Sequence, residues 1–300
     1  MHDDDSPSPA RRRTAALVAA AAALIAAAAG WVAWETTSGA DGPDAKAPRR
    51  GVPTASAPAT AASTGASTAG AVPTAATPLA GKVVVIDPGH NPGNFTHTRE
   101  IAAQVDIGTN RKECDTTGTS TDAGYTEAEF TLDVSHRLRT LLQKQGATVT
   151  FTHDADRPFG PCIDERARIG NEAAADAVVS VHADGSATGN RGFHVILPAL
   201  VKGGGADTAA IVGPSRTLGG HIAARFAAAT GSAPSNYVGD GTGLDVRKDL
   251  GGLNLSTVPK VFVECGNMRD PEDAALLTDA AWRQKAARGI ADGVSTYLRG

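Results

Sequence analysis

The fold class is indicated most directly by Lys82-Val-Val-Val-Ile-Asp-Pro-Gly-His90. A short β-branched apolar run that ends in a Pro-Gly pair predicts a buried strand entering a tight loop. Comparable apolar runs predict further strands at Ala147–Thr152, Ala177–Val181, Arg191–Leu197 and Lys260–Glu264. Among these, Ala177–Val181 is predicted to be buried.

Helices are predicted between these strands. One begins near Thr126 and ends before Gln145-Gly146, with apolar residues at helical spacing and a glycine C-cap. Others are predicted at Ile163–Ala175, Ser215–Thr230, Pro271–Leu277 and Ala280–Leu298. Strands that alternate with helices predict an α/β fold, a single domain with a mostly parallel twisted sheet flanked by helices on both faces.

The residues before this domain differ from it in composition. Residues 1–13 include Arg11-Arg12-Arg13 and are predicted to be a cytoplasmic n-region. Residues 14–34 are uncharged and mostly alanine, and as a helix they would extend about 30 Å, which matches a bilayer core. The arginines on its N-terminal side would stay cytoplasmic. The segment is interpreted as a transmembrane anchor or a cleaved signal peptide in preference to a buried soluble helix. Both alternatives place the rest of the chain outside the cytoplasm.

Residues 35–79 are a mixture of Pro, Ala, Ser, Thr and Gly with almost no large apolar side chain. They cannot bury enough apolar surface to offset the entropy of ordering, and they are predicted to be a disordered linker. The predicted folded domain is 80–300, which carries the whole net charge of −4 because the residues before it are balanced in charge. A mildly acidic domain without a run of Lys or Arg lacks the basic face that phosphates require, so a nucleic-acid partner is excluded.

Three of the predicted strands end in polar residues that could react or bind a metal: His90, His182 and Glu264. Glu127 lies in the first turn of the helix that begins near Thr126. In α/β sheets, ligands bind outside the carboxyl ends of the strands, so these side chains are expected at one edge. Two imidazoles and one carboxylate form the ligand set of hydrolytic zinc sites, which leave a fourth position for water.

Each of these residues also has a structural interpretation. The two histidines could be hydrogen-bonded residues at strand ends, and Glu264 could be a buried acid paired with an arginine. Glu127 could be a carboxylate that interacts with the helix dipole. Glu129 is a second candidate on the same helix, two residues away and on a different face. The coincidence of three strands that end in this way favours a shared site.

Four segments together resemble the signatures of a known family. They are Ile-Asp-Pro-Gly-His90, Gly-Tyr-Thr-Glu127 followed by Thr131-Leu132, Ser-Val-His182-Ala-Asp and Val-Glu264-Cys-Gly-Asn-Met. In this order and spacing they resemble the zinc-dependent N-acetylmuramoyl-L-alanine amidases of the type-3 amidase family, and the resemblance covers 80–300. Asp184 stands where this family usually has asparagine, and Asn91-Pro-Gly-Asn94 replaces its glycine-rich continuation.

The resemblance implies one zinc ion (Zn2+) per catalytic domain, held by His90, Glu127 and His182, with Glu264 as the catalytic acid and base. The implied reaction is hydrolysis of the amide between N-acetylmuramic acid and L-alanine in peptidoglycan, as part of cell-wall remodelling. The implied partner is a peptidoglycan or muropeptide substrate, met in the cell wall or periplasm. We expect a monomer, attached to the membrane if residues 14–34 are not cleaved.

Three other functions remain open at this point. A zinc carboxypeptidase or peptidase that acts on the stem peptide would use the same ligands. A catalytically inactive wall-binding module would keep the domain without turnover. A cysteine hydrolase could use Cys162 or Cys265, although neither has an evident histidine partner in the sequence.

The chain has three cysteines, and an exported protein is expected to oxidise a pair of them. Cys114 and Cys162 lie in predicted loops, whereas Cys265 lies on a predicted buried strand. We therefore predict a disulfide between Cys114 and Cys162, with three reduced thiols as the alternative.

Residues 91–123 are polar and rich in Thr and Gly, and they are predicted to be a surface loop held in part by Cys114. Alternatively, they form a lid or a substrate rim whose cations face carboxylates of the stem peptide; these cations are Arg99, Arg111 and Lys112. Arg247 could act in the same way or form a surface salt bridge. His194 could line the cleft as a partner of a metal ligand.

Overall fold

The computed structural model describes residues 77–300. In chain order its strands are β1 (Val83–Pro88), β2 (Gln104–Asp106), β3 (Arg111–Glu113), β4 (Thr148–Phe151), β5 (Ala177–Asp184), β6 (His194–Pro198), β7 (Lys202–Gly203), β8 (Ala206–Asp207), β9 (Leu244–Arg247) and β10 (Lys260–Asn267). Its α-helices are α1 (Thr98–Ile101), α2 (Glu127–Lys144), α3 (Ile163–Glu172), α4 (Val212–Thr230), α5 (Gly251–Asn254), α6 (Pro271–Thr278) and α7 (Ala280–Arg299). Short 3₁₀ turns lie at Pro92–Thr96 and Gly239–Gly241.

Six of the strands form one sheet, in the order β4-β1-β5-β10-β6-β9. β4, β1, β5 and β10 are parallel to one another. β6 is antiparallel to β10 and parallel to the edge strand β9. The mostly parallel sheet predicted from the sequence is therefore confirmed.

Helices cover both faces of the sheet, as predicted. Val84 and Ile86 of β1 join a large apolar cluster with residues of α2, α4 and α7. Val85 joins a smaller cluster on the opposite face, where it packs with Ile169 of α3. Because alternate residues of a strand point to opposite faces, a strand that is apolar throughout must be covered on both sides.

Some elements differ from the prediction. The sequence does not indicate β9, because Leu244-Asp-Val-Arg247 is short and half polar. The strand predicted from Arg191 begins only at His194, since Phe193 pairs instead with the segment around Pro234. Residues 91–123, predicted to be a surface loop, contain α1 and the β2–β3 hairpin. These short elements are polar and lack an apolar period that would predict them.

The predictions for residues 1–13, 14–34 and most of 35–79 lie outside the described residues. Leu79, at the end of the predicted linker, is fully buried, and its N–H donates to the carbonyl of Gln145 (2.9 Å). Leu79 therefore packs with the folded domain. In the described part of the chain, no helix has both the length and the apolar character needed to cross a membrane.

The predicted disulfide between Cys114 and Cys162 is confirmed, and Cys265 is a buried free thiol. The bond joins the residue after β3 to the residue before α3. These findings contradict a cysteine hydrolase, because Cys162 is oxidised and burial raises the pKa of Cys265 well above its ordinary value. A reactive cysteine requires an accessible thiolate.

Replacing both Cys114 and Cys162 by serine is expected to lower the free energy of unfolding by about 4 kcal/mol. The bond spans 48 positions, and the open chain gains conformational entropy in the unfolded state. For a domain of this size the melting temperature falls by roughly 10 °C. Thermal unfolding of the full chain without reductant measures the change, and wild-type protein treated with reductant is the control. A variant that melts at the wild-type temperature would contradict the prediction.

Candidate active site

The candidate site lies at the carboxyl ends of the parallel strands β1, β5 and β10. His90 follows β1 by two residues, His182 lies near the end of β5, and Glu264 lies in β10. Glu264 is the direct neighbour of His182 in the pairing of β5 with β10, so their side chains leave the same face of the sheet. The strand-end positions of these residues in the sequence predict this location.

Glu127 reaches the two histidines from the first turn of α2. Its Oε2 lies 3.1 Å from His90 Nε2, and its Oε1 lies 2.9 Å from His182 Nδ1. Two backbone N–H groups hold the carboxylate, with Thr119 N donating to Oε2 (3.0 Å) and Ala183 N donating to Oε1 (3.2 Å). His90, Glu127 and His182 each offer one atom that could bind a metal ion, and these three atoms lie within 4.8 Å of one another.

Glu129, the rival candidate, has a different role. Its carboxylate accepts hydrogen bonds from the N–H and the hydroxyl of Thr126 (3.0 and 2.7 Å), and Thr126 Oγ1 accepts one from Glu129 N. This reciprocal pair is a capping box, which fixes where α2 begins. It places Glu127 in the first turn, where the side chain faces the histidines. Of the two glutamates, the structure brings Glu127 to the site.

Two glycines make room for the site. A Cβ atom on Gly89 would lie 2.4 Å from His182 Cε1, and one on Gly118 would lie 2.8 Å from Glu127 Oε2. Gly118 also has a φ of +73°, a conformation that glycine adopts more easily than other residues. A side chain at either position would displace a candidate ligand.

The charges of the three candidate ligands depend on one another. Burial opposes ionisation of Glu127, but the imidazoles of His90 and His182 outweigh it and hold the pKa of Glu127 well below its ordinary value. Burial also disfavours a proton on His90, but the carboxylates of Glu127 and Asp115 raise the pKa of His90 to about 10. Donor atoms that attract a proton this strongly also suit a divalent cation. The residues present fit zinc, which binds histidine nitrogen and carboxylate oxygen.

Glu264 faces the same space as the three candidate ligands. It lines a cavity of about 270 Å³ together with His90, Glu127 and His182. Its Oε2 is buried and has no hydrogen-bond partner among residues 77–300. Burial and the negative charges of Glu127 and Asp184 raise the pKa of Glu264 well above its ordinary value. An unpaired carboxyl with a raised pKa is suited to proton transfer rather than to a structural ion pair.

A larger cavity of about 500 Å³ adjoins the site and is lined in part by His90, His182 and Phe262. Part of its wall is the β2–β3 hairpin, which contributes Lys112. The segment 91–123 is therefore a wall of the site as well as a surface feature.

Two cations at the rim of these cavities share one carboxylate. Lys112 Nζ lies 3.4 Å from Asp249 Oδ2, and Arg247 donates to both oxygens of Asp249 (2.9 and 2.7 Å). The hydrogen bond from Arg247, opposed by burial, lowers the pKa of Asp249 to about 2. Arg247 thus forms the salt bridge that was one alternative for it, and it also lines the cavity that contains Glu264.

His194 lies beside Glu264 on β6, and its imidazole is buried. Its ring packs edge-on against Tyr237, at 5.9 Å between ring centres, rather than against a candidate ligand. The hydroxyl of Tyr237 donates to Asp184 Oδ2 (2.7 Å). Burial and the hydrogen bond to this carboxylate both raise the pKa of Tyr237. The unusual aspartate at position 184 therefore has a specific partner at the edge of the site.

Behind the site lies a buried ionic network that was not predicted from the sequence. Asp87 accepts hydrogen bonds from side chains on four other segments: Arg166 (2.8 Å), Lys260 (3.0 Å), Ser180 (2.9 Å) and Thr152 (2.7 Å). The sequence does indicate two members of this network. Asp87 and Lys260 are charged residues inside apolar strand sequences, and charged residues must find partners when they are buried. Arg166 has no such signal, since charged residues are common on helices.

Acid is expected to destabilise the domain through Asp87. Burial opposes its charge, but Lys260 and Arg166 hold its pKa well below the ordinary value of 3.8. As the pH falls below that value, the unfolded chain binds a proton that the folded domain resists. The free energy of unfolding therefore decreases with falling pH, by up to about 1.4 kcal/mol per pH unit from this one group.

Asp87→Asn tests this expectation. The variant should be less stable than wild type near neutral pH by about 3–5 kcal/mol, because buried cations lose their partner. Its stability should also depend less on pH in the acid range. Urea unfolding at a series of pH values measures both effects, and Asp292→Asn, at an exposed position of α7, is the control. Parallel stability curves for Asp87→Asn and wild type would contradict the prediction.

Known proteins resemble this chain in sequence and in structure. A sequence model of the family described as N-acetylmuramoyl-L-alanine amidase matches residues 84–296. The chain belongs to this family. Rv3717, an N-acetylmuramoyl-L-alanine amidase of Mycobacterium tuberculosis, is 41% identical over 221 residues, which cover 73% of this chain and 88% of that protein. The N-acetylmuramoyl-L-alanine amidase AmiA of Escherichia coli is 24% identical over 244 residues, covering 72% of this chain and 76% of AmiA.

A solved structure supports the same assignment to the amidase family. The crystal structure of the N-acetylmuramyl-L-alanine amidase Ami1 from Mycobacterium smegmatis has a TM-score of 0.68 and 40% sequence identity, covering 73% of this chain and 98% of that chain. The predicted amidase family and the predicted α/β fold are thereby confirmed. The part of the chain that matches the family includes all four candidate residues, His90, Glu127, His182 and Glu264.

Proposed function

We propose that this member of the amidase family hydrolyses the amide between N-acetylmuramic acid and L-alanine in peptidoglycan. The observation that carries the proposal is the meeting of donor atoms from His90, Glu127 and His182 with the unpaired carboxyl of Glu264 in one cavity. The three donors suit one zinc ion, and the carboxyl suits the proton transfers of amide hydrolysis. Membership of the family supports the class of substrate.

His90, Glu127 and His182 are the proposed zinc ligands. A zinc ion bound there would polarise the carbonyl under attack and lower the pKa of water, so that hydroxide forms near neutral pH. The chain itself keeps the ligands in place, since the N–H groups of Thr119 and Ala183 hold both oxygens of Glu127. This support matters because a metal site must keep its geometry while substrate enters.

Glu264 is the proposed catalytic acid and base. Amide hydrolysis needs two proton transfers: one from the attacking water to a base, and one from an acid to the leaving nitrogen. The same group can serve as base and then as acid. A carboxyl can do both when its pKa is raised toward neutrality, and burial beside Glu127 and Asp184 raises that of Glu264. Its Oε2 is free of competing hydrogen bonds within the described residues.

Lys112 and Arg247 are proposed to face carboxylates of the stem peptide. Both cations line the cavities around the site, and both are already paired with Asp249. Because these side chains are partly exposed, exchanging the Asp249 carboxylate for a substrate carboxylate has a small net effect on free energy. The ion pairs with Asp249 keep both cations in position before substrate binds.

We further propose that the chain acts outside the cytoplasm, where peptidoglycan lies. Residues 14–34 would export it, either as a signal peptide or as a membrane anchor. The proposed working form is a monomer, because all four proposed site residues belong to one chain.

The proposal is tested by incubating the full-length chain with a muramoyl-peptide, with and without a chelator, and identifying the products by mass spectrometry. We expect an intact peptide that begins with L-alanine, whose release stops with chelator and resumes when zinc is added back. Release of a C-terminal amino acid or an internal fragment would instead indicate a stem-peptide peptidase. Binding to the wall without any product would indicate a wall-binding module. Either result would contradict the proposal.

The two glutamates at the start of α2 provide a matched pair of variants. Glu127→Gln is expected to lose bound zinc and activity, because the charged oxygen between the histidines is removed. Glu129→Gln is expected to keep both, and to lose at most about 1 kcal/mol of stability from the weakened capping box. Zinc content after dialysis, product release and thermal unfolding check the pair. Wild-type zinc content in Glu127→Gln would rule out Glu127 as a ligand.

A further inference from the structure

Arg166, on the face of α3 that is turned toward the sheet, is buried and uses every N–H group of its guanidinium. The five acceptors are Asp87 Oδ1 (2.8 Å), Pro88 O (2.6 Å), His90 O (3.2 Å), Asp115 Oδ2 (2.9 Å) and Pro161 O (2.9 Å). We refer to Arg166 with these five acceptors as the arginine clamp. An arginine is required for it, because lysine offers only three donors and no planar fork.

Three of the five acceptors belong to the short segment 87–90, which ends at the proposed zinc ligand His90. The backbone of His90 has a φ of 59°, which is uncommon and strained for a residue with a side chain. A bond from Arg166 to the His90 carbonyl helps to hold this conformation. The clamp therefore acts on the backbone that carries the ligand.

The segment 115–116 acts on the ring of the same ligand. His90 Nδ1 donates to the carbonyl of Thr116 (3.1 Å) and lies 3.5 Å from Asp115 Oδ1. Asp115 Oδ1 also accepts a hydrogen bond from Thr116 N (2.8 Å), and its Oδ2 is held by Arg166. With Nδ1 engaged in this way, the other ring nitrogen, Nε2, faces Glu127.

The disulfide ties the two halves of this arrangement together. Cys114 directly precedes Asp115, and Cys162 directly precedes α3, which carries Arg166. A backbone hydrogen bond from Ile163 N to the carbonyl of Cys114 (2.8 Å) reinforces the connection. The carboxylate and the guanidinium that meet beside His90 therefore come from segments that are joined covalently.

We propose that Arg166 and Asp115 are positioning residues for the metal site: Arg166 holds the backbone of His90, and Asp115 with Thr116 orients its ring so that Nε2 is presented to the zinc ion. Histidines that bind metals commonly donate their other N–H to a carboxylate or a carbonyl, and removing such a partner weakens metal binding by about 10–100-fold. This inference rests on the metal site of the proposed function, and it adds residues that never touch the metal or the substrate.

The experiment compares the full-length wild type with Asp115→Asn, Arg166→Lys and the control Arg168→Lys. Arg168 lies on the same helix, is exposed and pairs with Glu172. Two measurements are made on protein that is folded by circular dichroism: zinc affinity, by competition with a chelator of known affinity, and the visible absorption spectrum after cobalt substitution. Asp115→Asn and Arg166→Lys are expected to lose about tenfold or more in affinity and to change the cobalt spectrum. Arg168→Lys should match wild type in both.

A purely structural role gives a different result. If both site variants melt at lower temperature but bind zinc and cobalt as wild type does, the inference is overturned. Asp115→Asn preserves the size of the side chain, so it decides the question even if Arg166→Lys does not fold. Product release measured on the same wild-type sample separates the two proposals. If wild type binds zinc and cleaves no muramoyl-peptide while Asp115→Asn still loses affinity, the proposed function fails and the positioning role stands. If wild type binds no zinc, both fail.

Discussion

Glu264→Gln is expected to keep its zinc and to lose hydrolysis by a factor of about 10²–10⁴, the usual contribution of a general acid–base group. The change replaces an ionisable carboxyl by an amide, which does not exchange protons near neutral pH, while leaving the shape of the side chain. His90, Glu127 and His182 are not altered, so the metal ligands remain. Initial rates of peptide release and zinc content per chain, measured on the same preparation, test the prediction.

Stability provides a second readout for the same variant. In the folded domain the pKa of Glu264 is raised by burial and by Glu127 and Asp184, so its ionised form destabilises the fold near neutral pH. Glu264→Gln is therefore expected to melt at the wild-type temperature or above it, as happens when a group is kept for activity rather than for stability. Glu264→Ala should also retain zinc and lose turnover. Wild-type activity in either variant would remove Glu264 from the mechanism.

His90→Ala is expected to lose both zinc and turnover. Only two of the three proposed ligands remain in this variant. Removing a residue that merely hydrogen-bonds to a metal ligand weakens metal binding by up to roughly 100-fold, and the loss of a ligand itself should exceed this. The apo protein should still fold, because Arg166 bonds to the backbone carbonyl of residue 90 and not to its side chain. Chelator competition and product release measure the two losses.

His136→Ala is the matched control for His90→Ala. His136 lies on α2, is exposed and pairs with Asp154, away from the cavity that contains Glu264. Its replacement should leave zinc affinity and hydrolysis unchanged. If His90→Ala retained one tightly bound zinc per chain, the proposed ligand set would be wrong. If His136→Ala lost zinc as well, the effect would not be specific to the site.

The location of the site follows from features that a sequence displays. An apolar run that ends in a polar residue predicts both the strand and the edge at which its last side chain lies. His90, His182 and Glu264 become candidates in this way. β5 and β10, which carry His182 and Glu264, are strands as predicted, and His90 follows the predicted strand β1. Glu127 is harder to identify, since Glu129 is two residues away. The capping box separates them: Thr126 and Glu129 bond to each other, which leaves Glu127 to face the histidines.

What supports the site is largely invisible in the sequence. The N–H groups of Thr119 and Ala183 hold Glu127, but any residue type supplies an N–H, so no side-chain pattern marks them. Arg166 meets Asp87 and Asp115 across 79 and 51 positions of the chain. Such contacts depend on how α3 packs on the sheet, which local periodicity does not specify. The disulfide is an exception, because only three cysteines are available to pair.

Isotope labelling of the products tests most directly which bond the protein cleaves. The full-length chain is incubated with a muramoyl-peptide in water enriched in the heavy oxygen isotope, and each product is weighed by mass spectrometry. Hydrolysis of the proposed amide leaves one heavy oxygen in the lactyl carboxyl group of muramic acid and none in the released peptide, whose new terminus is the amine of L-alanine. Heavy oxygen in a carboxyl group of the peptide, with the muramoyl amide intact, would contradict the account.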